Sequence, residues 1–171
     1  LGAEVIQIAT QPNGTNINFE CGSTNTNKLA KKVLEEKADI GIALDGDGDR
    51  LAVIDEKGHL VNGDQILALL AIEMLKDKKL KNNNVVGTSM ANMGLEILLK
   101  KHNIGLIRAK VGDRYVKEKM IAEDLNLGGE QSGHIILRDF TSSGDGMVVA
   151  LQVLSILSRK KGKASECLHL F

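Results

Sequence analysis

Two hydrophobic periodicities alternate along the chain. Short runs rich in β-branched residues are followed by longer stretches in which apolar residues recur every three or four positions. The first pattern predicts buried strands and the second predicts amphipathic helices. The predicted strands are Glu4–Thr10, Asp39–Leu44, Leu51–Ile54, His59–Val61, Val85–Thr88, Ile104–Ala109 and His134–Leu137. The predicted helices are Asn27–Lys37, Asp64–Lys76, Ala91–His102, Asp113–Asp124 and Asp145–Arg159.

A polar run at Lys76–Asn84 interrupts this alternation and is the best candidate for a linker. Alternating strands and helices on both sides of it favour an α/β fold. We therefore predict two consecutive α/β modules, 1–80 and 81–171, each a mostly parallel mixed sheet flanked by helices. The first module is short and opens on a strand, and the chain begins with Leu1 rather than Met. We expect the chain to be a piece of a longer protein.

Composition narrows the range of functions. The chain has 22 Lys and Arg residues against 22 Asp and Glu residues, so no net positive charge attracts a nucleic acid. Aromatic residues make up only 2%, which leaves few platforms for stacking bases or sugars. Cys21 and Cys167 form no Cys-x-x-Cys pair. With no secretion signal or spanning apolar run in the sequence, we expect a cytoplasmic protein without a membrane partner.

The strongest candidate site is the loop Asp-Gly-Asp-Gly-Asp-Arg at 45–50, which follows a predicted buried strand. Alternate carboxylates share one side of extended backbone, and the glycines let the chain curl so that they converge. Clustered carboxylates repel one another unless a cation neutralises them. Hard oxygen ligands suit Mg²⁺, so we predict that Asp45, Asp47 and Asp49 bind this ion. Arg50 beside the metal would bind a phosphate with its planar fork.

The same loop has three other interpretations. A solvated acidic turn is the plain alternative. An EF-hand requires glycine at the sixth position, where this chain has Arg50, and strands rather than helices flank the loop, so we reject it. A phosphatase that forms an aspartyl-phosphate also begins with alternating Asp residues at a strand end. Such a phosphatase needs a later acidic pair for its metal, which we do not find in the sequence. Phosphate-ester hydrolysis stays as the alternative chemistry for this loop.

A second candidate loop is Gly-Glu-Gln-Ser-Gly-His at 129–134. Glu130, Ser132 and His134 offer an acceptor, a hydroxyl and an imidazole within a short glycine-rich segment, and a carboxylate that accepts from two vicinal hydroxyls can hold a sugar. An ordinary turn is the alternative for this loop, and a structural hydrogen bond is the alternative for His134.

Two further loops are less specific. Lys110 and Arg114 bracket Gly112 at a predicted helix start, which suits an anion, although a helix capped by Asp113 with exposed basic neighbours explains the pattern equally well. The segment Thr141–Gly146 is interpreted as a cap for the long helix that follows it.

Together these loops resemble those of the α-D-phosphohexomutases. The Asp-Gly-Asp-Gly-Asp-Arg loop is similar to the metal loop of that family, and Gly-Glu-Gln-Ser-Gly-His is similar to its sugar-binding loop. Gln131 and the run Lys110–Val116 are more like the glucosamine branch than the mannose or glucose branches. The resemblance covers essentially the whole chain. Members of the family have four domains, and this chain resembles the second, without its opening strand and helix, and the third.

The resemblance implies an intramolecular phosphotransferase of the isomerase class. The parent enzyme would interconvert glucosamine 6-phosphate and glucosamine 1-phosphate, on the route to cell-wall precursors, through a phosphoserine enzyme and a bisphosphate intermediate. The serine loop and a phosphate-binding loop would lie in the missing domains, so we expect the chain alone to be inactive. Its partners would be a phosphorylated amino sugar and those domains, with a homodimer as a candidate assembly of the parent.

The resemblance also implies a role for each site residue. Mg²⁺ would bind the three aspartates, Arg50 and Lys110 would contact the phosphoryl group or other substrate oxygens, and Glu130, Ser132 and His134 would contact the sugar. The alternatives are a phosphomannomutase or phosphoglucomutase of the same family, a Mg²⁺-dependent sugar-phosphate phosphatase, and a non-catalytic sugar-phosphate-binding module.

Overall fold

A computed structural model describes residues 2–171 as two β-sheets packed with α-helices. The strands are β1 (Ile40–Leu44), β2 (Leu51–Asp55), β3 (Leu60–Val61), β4 (Asn84–Thr88), β5 (Gly105–Ala109), β6 (Leu127–Gly129) and β7 (Ile135–Leu137). The helices are α1 (Asn27–Glu36), α2 (Gly63–Lys76), α3 (Met93–Lys101), α4 (Asp113–Ala122), α5 (Gly146–Lys160) and α6 (Ala164–Leu168), with a 3₁₀ turn at Lys81–Asn83. No helix within 2–171 combines the length and apolar character needed to cross a bilayer.

The first sheet has the order β1-β2-β3, and both of its strand pairs are antiparallel. The prediction of a mostly parallel sheet is therefore wrong for this module. The reason is the short connection from β1 to β2, which consists of residues 45–50 alone. A parallel pair needs a crossover of about a dozen residues or more, whereas a short loop returns the chain antiparallel to itself.

The second sheet has the order β5-β4-β6-β7. β4 pairs in parallel with β5 and with β6, and β7 is antiparallel to β6. This sheet is mostly parallel and mixed, as predicted. The carboxyl ends of its three parallel strands, at Thr88, Ala109 and Gly129, lie along one edge, where the loops of such sheets commonly bind ligands. The prediction of an α/β chain with two sheets flanked by helices is confirmed.

Helix α2 lies at the centre of the structure. Its residues from Gly63 to Ile72 are all buried, and those from Ile66 onward belong to a hydrophobic cluster that also contains Leu51 of β2 and Val85 of β4. Val153 of α5 packs in the same cluster. Because a close-packed interior resists displacement, this shared core fixes the loops of the first sheet relative to the loops of the second.

The segment that precedes α1 differs from the prediction. Glu4–Thr10 was predicted as a strand, but residues 2–26 contain no regular helix or strand. Val5 and Ile6 are exposed, at 72% and 47%. An extended segment needs a paired neighbour to be stable as a strand, and neither sheet pairs with this one among the described residues.

Candidate functional site

The acidic loop between β1 and β2 folds back on itself. The backbone amide of Gly48 donates to the carbonyl oxygen of Asp45 over 3.1 Å, with Gly48 at a φ of +73°. The amide of Arg50 donates to Asp45 Oδ1 over 3.0 Å. As a result the side chains of Asp45, Asp47 and Asp49 converge, and one oxygen of each lies within 4.8 Å of the other two.

One carboxylate oxygen of this cluster has no hydrogen-bond partner among the described residues. Asp49 Oδ1 is buried and accepts no hydrogen bond from any residue of 2–171. Burial raises the pKa of Asp49, the negative charges of Asp45 and Asp47 raise it further, and His134 opposes these effects. A buried oxygen without a donor, beside two other carboxylate oxygens, suits a hard divalent cation. The donor set therefore fits the predicted metal.

Arg50 lies at the end of this loop. Its Nε is 3.6 Å from Asp45 Oδ2, and 46% of its side chain is exposed. The guanidinium is therefore held next to the acidic cluster while much of it stays open to solvent. This position leaves donors available for an anionic group that approaches the cluster.

The second loop connects β6 to β7 and forms a tight turn. The amide of Glu130 donates to the carbonyl oxygen of His134 over 2.9 Å. The amide of Gly133 donates to the carbonyl oxygen of Glu130 over 3.0 Å. Glu130 Oε1 accepts from the amide of Gly112 over 2.8 Å, and the exposed Ser132 hydroxyl lies 3.4 Å from Glu130 Oε2. The Glu130 carboxylate is thereby anchored to the loop that follows β5.

The two loops contact each other directly. Arg50 and His134 form an antiparallel backbone bridge, and the amide of Leu51 donates to the carbonyl oxygen of Gly133 over 3.1 Å. The His134 ring is 3.0 Å from Asp49, measured from Nδ1 to Oδ2, and the residue is only 4% exposed. The structure thus places His134 against the acidic loop, and its contact with a sugar stays a prediction.

Lys110 lies on the loop after β5 and is exposed. Its Nζ is 5.8 Å from the centre of the Tyr115 ring, a weak cation–π geometry, and it pairs with no carboxylate among the described residues. The hydrogen bond from Gly112 to Glu130 brings this loop next to the loop between β6 and β7. The catalytic role of Lys110 stays a prediction, as do the sugar contacts of Glu130 and Ser132.

A third segment at this site was predicted only as a helix cap. Asp145 does cap α5, since its Oδ1 accepts from the amide of Val148 over 2.9 Å. The same segment also packs on the acidic loop, because the amide of Gly146 donates to the carbonyl oxygen of Gly48 over 2.8 Å. A Cβ added to Gly144 would lie 2.4 Å from the His134 ring. The sequence signal was a third glycine-rich loop at the start of a helix, but it did not indicate these contacts.

Comparison with known families identifies the family of this chain. Residues 2–58 match the family described as Phosphoglucomutase/phosphomannomutase, alpha/beta/alpha domain II, and residues 62–171 match alpha/beta/alpha domain III of the same family. The chain belongs to the phosphoglucomutase/phosphomannomutase family. The two matches meet between residues 58 and 62. The sequence placed the module boundary near residue 80, and that boundary stays a prediction.

Individual relatives agree with this assignment. The phosphoglucosamine mutase of Zymomonas mobilis is 57% identical over 171 residues, which is 100% of this chain and 38% of the relative. The crystal structure of a phosphoglucomutase/phosphomannomutase family protein from Burkholderia thailandensis is 29% identical, with a TM-score of 0.73, over 80% of this chain and 30% of that chain. The resemblance to phosphohexomutases that the two loops indicated is confirmed.

A more distant relative has the same fold. The N-acetylphosphoglucosamine mutase of Aspergillus fumigatus, solved in complex with GlcNAc-6P and magnesium, is 24% identical, with a TM-score of 0.69, over 91% of this chain and 38% of that chain. This chain spans 38% of the length of the curated relatives that it matches.

Proposed function

We propose that this chain supplies the metal-binding and sugar-binding loops of a phosphoglucosamine mutase. The parent enzyme would interconvert glucosamine 6-phosphate and glucosamine 1-phosphate in the cytoplasm, through a phosphoserine enzyme and a bisphosphate intermediate. The observation that carries the proposal is the convergence of Asp45, Asp47 and Asp49 within 4.8 Å at a loop bonded to the Glu130–His134 turn. The high identity with phosphoglucosamine mutases along the whole chain supports the choice of an amino sugar.

The metal follows from the chemistry of the donors. Three carboxylate oxygens with an unpartnered buried atom favour a hard divalent ion, and the Aspergillus complex contains magnesium. Asp45, Asp47 and Asp49 would hold Mg²⁺, which supplies positive charge for the phosphoryl group during transfer. The Arg50 fork, held 3.6 Å from Asp45, would donate to phosphoryl oxygens from the exposed side of the loop.

The sugar would be oriented by the neighbouring turn. Glu130 Oε1 is fixed by the Gly112 amide, whereas Oε2 accepts only a long hydrogen bond of 3.4 Å from the Ser132 hydroxyl and keeps a lone pair for a sugar hydroxyl. Paired hydroxyls present a similar pattern after a half-turn of the sugar, so one carboxylate could hold both orientations of a bisphosphate. Lys110 is exposed on the adjoining loop and would neutralise charge on substrate oxygens.

A chimera tests this proposal directly. The matching segment of the Zymomonas mobilis phosphoglucosamine mutase would be replaced by residues 1–171, and conversion of glucosamine 6-phosphate would be followed by ³¹P NMR with Mg²⁺ present. We expect the chimera to form glucosamine 1-phosphate and its Asp47→Asn variant to be inactive. A folded chimera without mutase activity would contradict the proposal, and a preference for mannose or glucose phosphates would move the chain to another branch of the family.

The 171-residue chain alone serves as the second arm of this experiment. We expect it to leave glucosamine 6-phosphate unchanged, because the proposed phosphoserine lies in another part of the parent enzyme. Release of inorganic phosphate by the chain alone would favour a phosphatase. Sugar-phosphate binding together with an inactive chimera would favour a binding module.

A further inference from the structure

His134 is buried between two loops and has polar contacts on both its backbone and its ring. Its carbonyl oxygen accepts from the amide of Glu130 over 2.9 Å, and its backbone bridges to Arg50. Its ring Nδ1 lies 3.0 Å from Asp49 Oδ2. An ionised carboxylate only accepts hydrogen bonds, so Nδ1 carries the proton in this contact when Asp49 is ionised, as it is when the group binds a cation.

The ring is also fixed by packing. A Cβ added to Gly144 would lie 2.4 Å from Cε1, 2.5 Å from Nε2 and 2.8 Å from Nδ1 of His134. Only a residue without a side chain leaves room for the imidazole at this place. With one face of the ring against Gly144 and Nδ1 bonded to Asp49, the orientation of the imidazole is determined by its surroundings.

The contact with His134 places the two Asp49 oxygens in different environments. Oδ2 accepts from the imidazole, whereas Oδ1 is buried and accepts no hydrogen bond from the described residues. A carboxylate held by one oxygen keeps the other in a fixed position, which lowers the entropy lost when a cation binds. Hydrogen bonds that orient metal ligands commonly change metal affinity by about 10-fold to 100-fold.

We propose that His134 is a positioning residue for the metal site, which orients Asp49 through the Nδ1 hydrogen bond and couples the sugar-side turn to the acidic loop. This inference rests on the proposed function, since it assigns a task to His134 only if the three aspartates bind a divalent ion. It differs from the substrate contact predicted from the sequence, because it uses the ring atom that faces Asp49.

Manganese binding by the 171-residue chain tests the proposal without any assay of activity. Bound and free Mn²⁺ would be distinguished by electron paramagnetic resonance for the wild type, His134→Phe and His134→Asn. Phenylalanine keeps a ring but loses the donor, whereas the asparagine amide can donate from nearly the position of Nδ1. We expect His134→Phe to weaken Mn²⁺ binding about 10-fold to 100-fold and His134→Asn to stay within about 3-fold of the wild type.

Two further variants keep the result interpretable. His102→Phe is the matched control, because His102 is an exposed residue at the end of α3 and should leave Mn²⁺ affinity unchanged. Gly144→Ala displaces the His134 ring without removing a polar group and should also weaken Mn²⁺ binding. Circular dichroism would show that each variant is folded, and if His134→Phe does not fold, Gly144→Ala decides the question.

The outcomes separate this inference from the proposed function. Wild-type affinity in folded His134→Phe, or in folded Gly144→Ala if the first variant does not fold, would overturn the positioning role and leave the metal site intact. Equal weakening by His134→Phe and His134→Asn would overturn it as well, because the ring rather than the donor would then matter. Failure of the wild type to bind Mn²⁺ would overturn both the inference and the metal site on which it depends.

Discussion

The backbone amide of Leu51 donates a hydrogen bond of 3.1 Å to the carbonyl oxygen of Gly133, which joins the first residue of β2 to the turn between β6 and β7. Gly133 has a φ of +91°, and a Cβ at this position would lie 2.0 Å from the carbonyl oxygen of Leu51. Both the conformation and the close approach of two backbones therefore require glycine here. This contact lies directly beside the proposed metal ligands.

Gly133→Ala should accordingly be strongly destabilising. We expect it to lower the free energy of unfolding in urea by roughly 2 kcal/mol or more, because alanine is strained at this φ and its methyl group would displace β2. Gly14→Ala is the matched control, since Gly14 has a similar φ of +87° but no atom within 4 Å of an added Cβ. Equal losses of unfolding free energy in the two variants would show that the close contact with Leu51 does not contribute to the effect of Gly133→Ala.

A second relationship predicts a dependence of stability on pH. Glu56 Oε2 accepts from the amide of Ser165 over 2.9 Å, and the Ser165 hydroxyl donates to Oε1, which ties α6 to the turn after β2. Burial tends to raise the pKa of Glu56, but these hydrogen bonds outweigh it, so the pKa lies below its ordinary value of 4.5. The stabilisation is therefore present above this ordinary value and is lost as the pH falls through the lowered pKa.

The variant Glu56→Gln measures the contribution of ionised Glu56 to stability. We expect the variant to be about 1 kcal/mol less stable than the wild type at pH 7, because the charged acceptor is replaced by a neutral one. The difference should shrink as the pH falls below 4.5 and disappear once Glu56 is protonated. Glu166→Gln, on the exposed side of the same helix, should show no such trend. A difference for Glu56→Gln that is constant from pH 7 to pH 3 would contradict the argument.

Lys110 provides a test that separates metal binding from turnover. The residue is exposed and pairs with none of the three aspartates, so Lys110→Ala should leave the Mg²⁺ affinity of the chain unchanged. In the Zymomonas chimera we expect the same substitution to lower kcat/KM for glucosamine 6-phosphate roughly 10²-fold, since a cation near the phosphoryl oxygens is lost. Lys100→Ala, on the exposed surface of α3, is the control. Unchanged turnover in Lys110→Ala would remove Lys110 from the catalytic residues.

Local features of this site could be predicted from the sequence. The convergence of the alternating aspartates of residues 45–50 could be predicted because it depends on a single loop. Helix α2 was predicted at 64–76 and is found at Gly63–Lys76. The antiparallel pairing of β1 with β2 was missed although the length of that same loop indicated it. Counting the residues between β1 and β2 would have excluded a parallel pair.

The long-range contacts of the site could not be predicted from the sequence. Asp49 and His134 are 85 positions apart, and only the packing of both sheets around α2 brings them together. Gly144 likewise looks like an ordinary loop glycine until the His134 ring is placed against it. The strand predicted at Glu4–Thr10 failed for the converse reason, since its pattern favours a strand but the described residues offer no neighbour with which to pair.

The most direct test of the account is a calorimetric titration of the 171-residue chain with Mg²⁺. We predict one saturable site per chain, weakened at least about 10-fold by Asp47→Asn, because a charged oxygen ligand is lost from the cluster. Asp77→Asn makes the same change of charge on an exposed turn after α2 and should bind Mg²⁺ like the wild type. Absence of saturable binding, or equal affinity in the wild type and Asp47→Asn, would contradict the metal site.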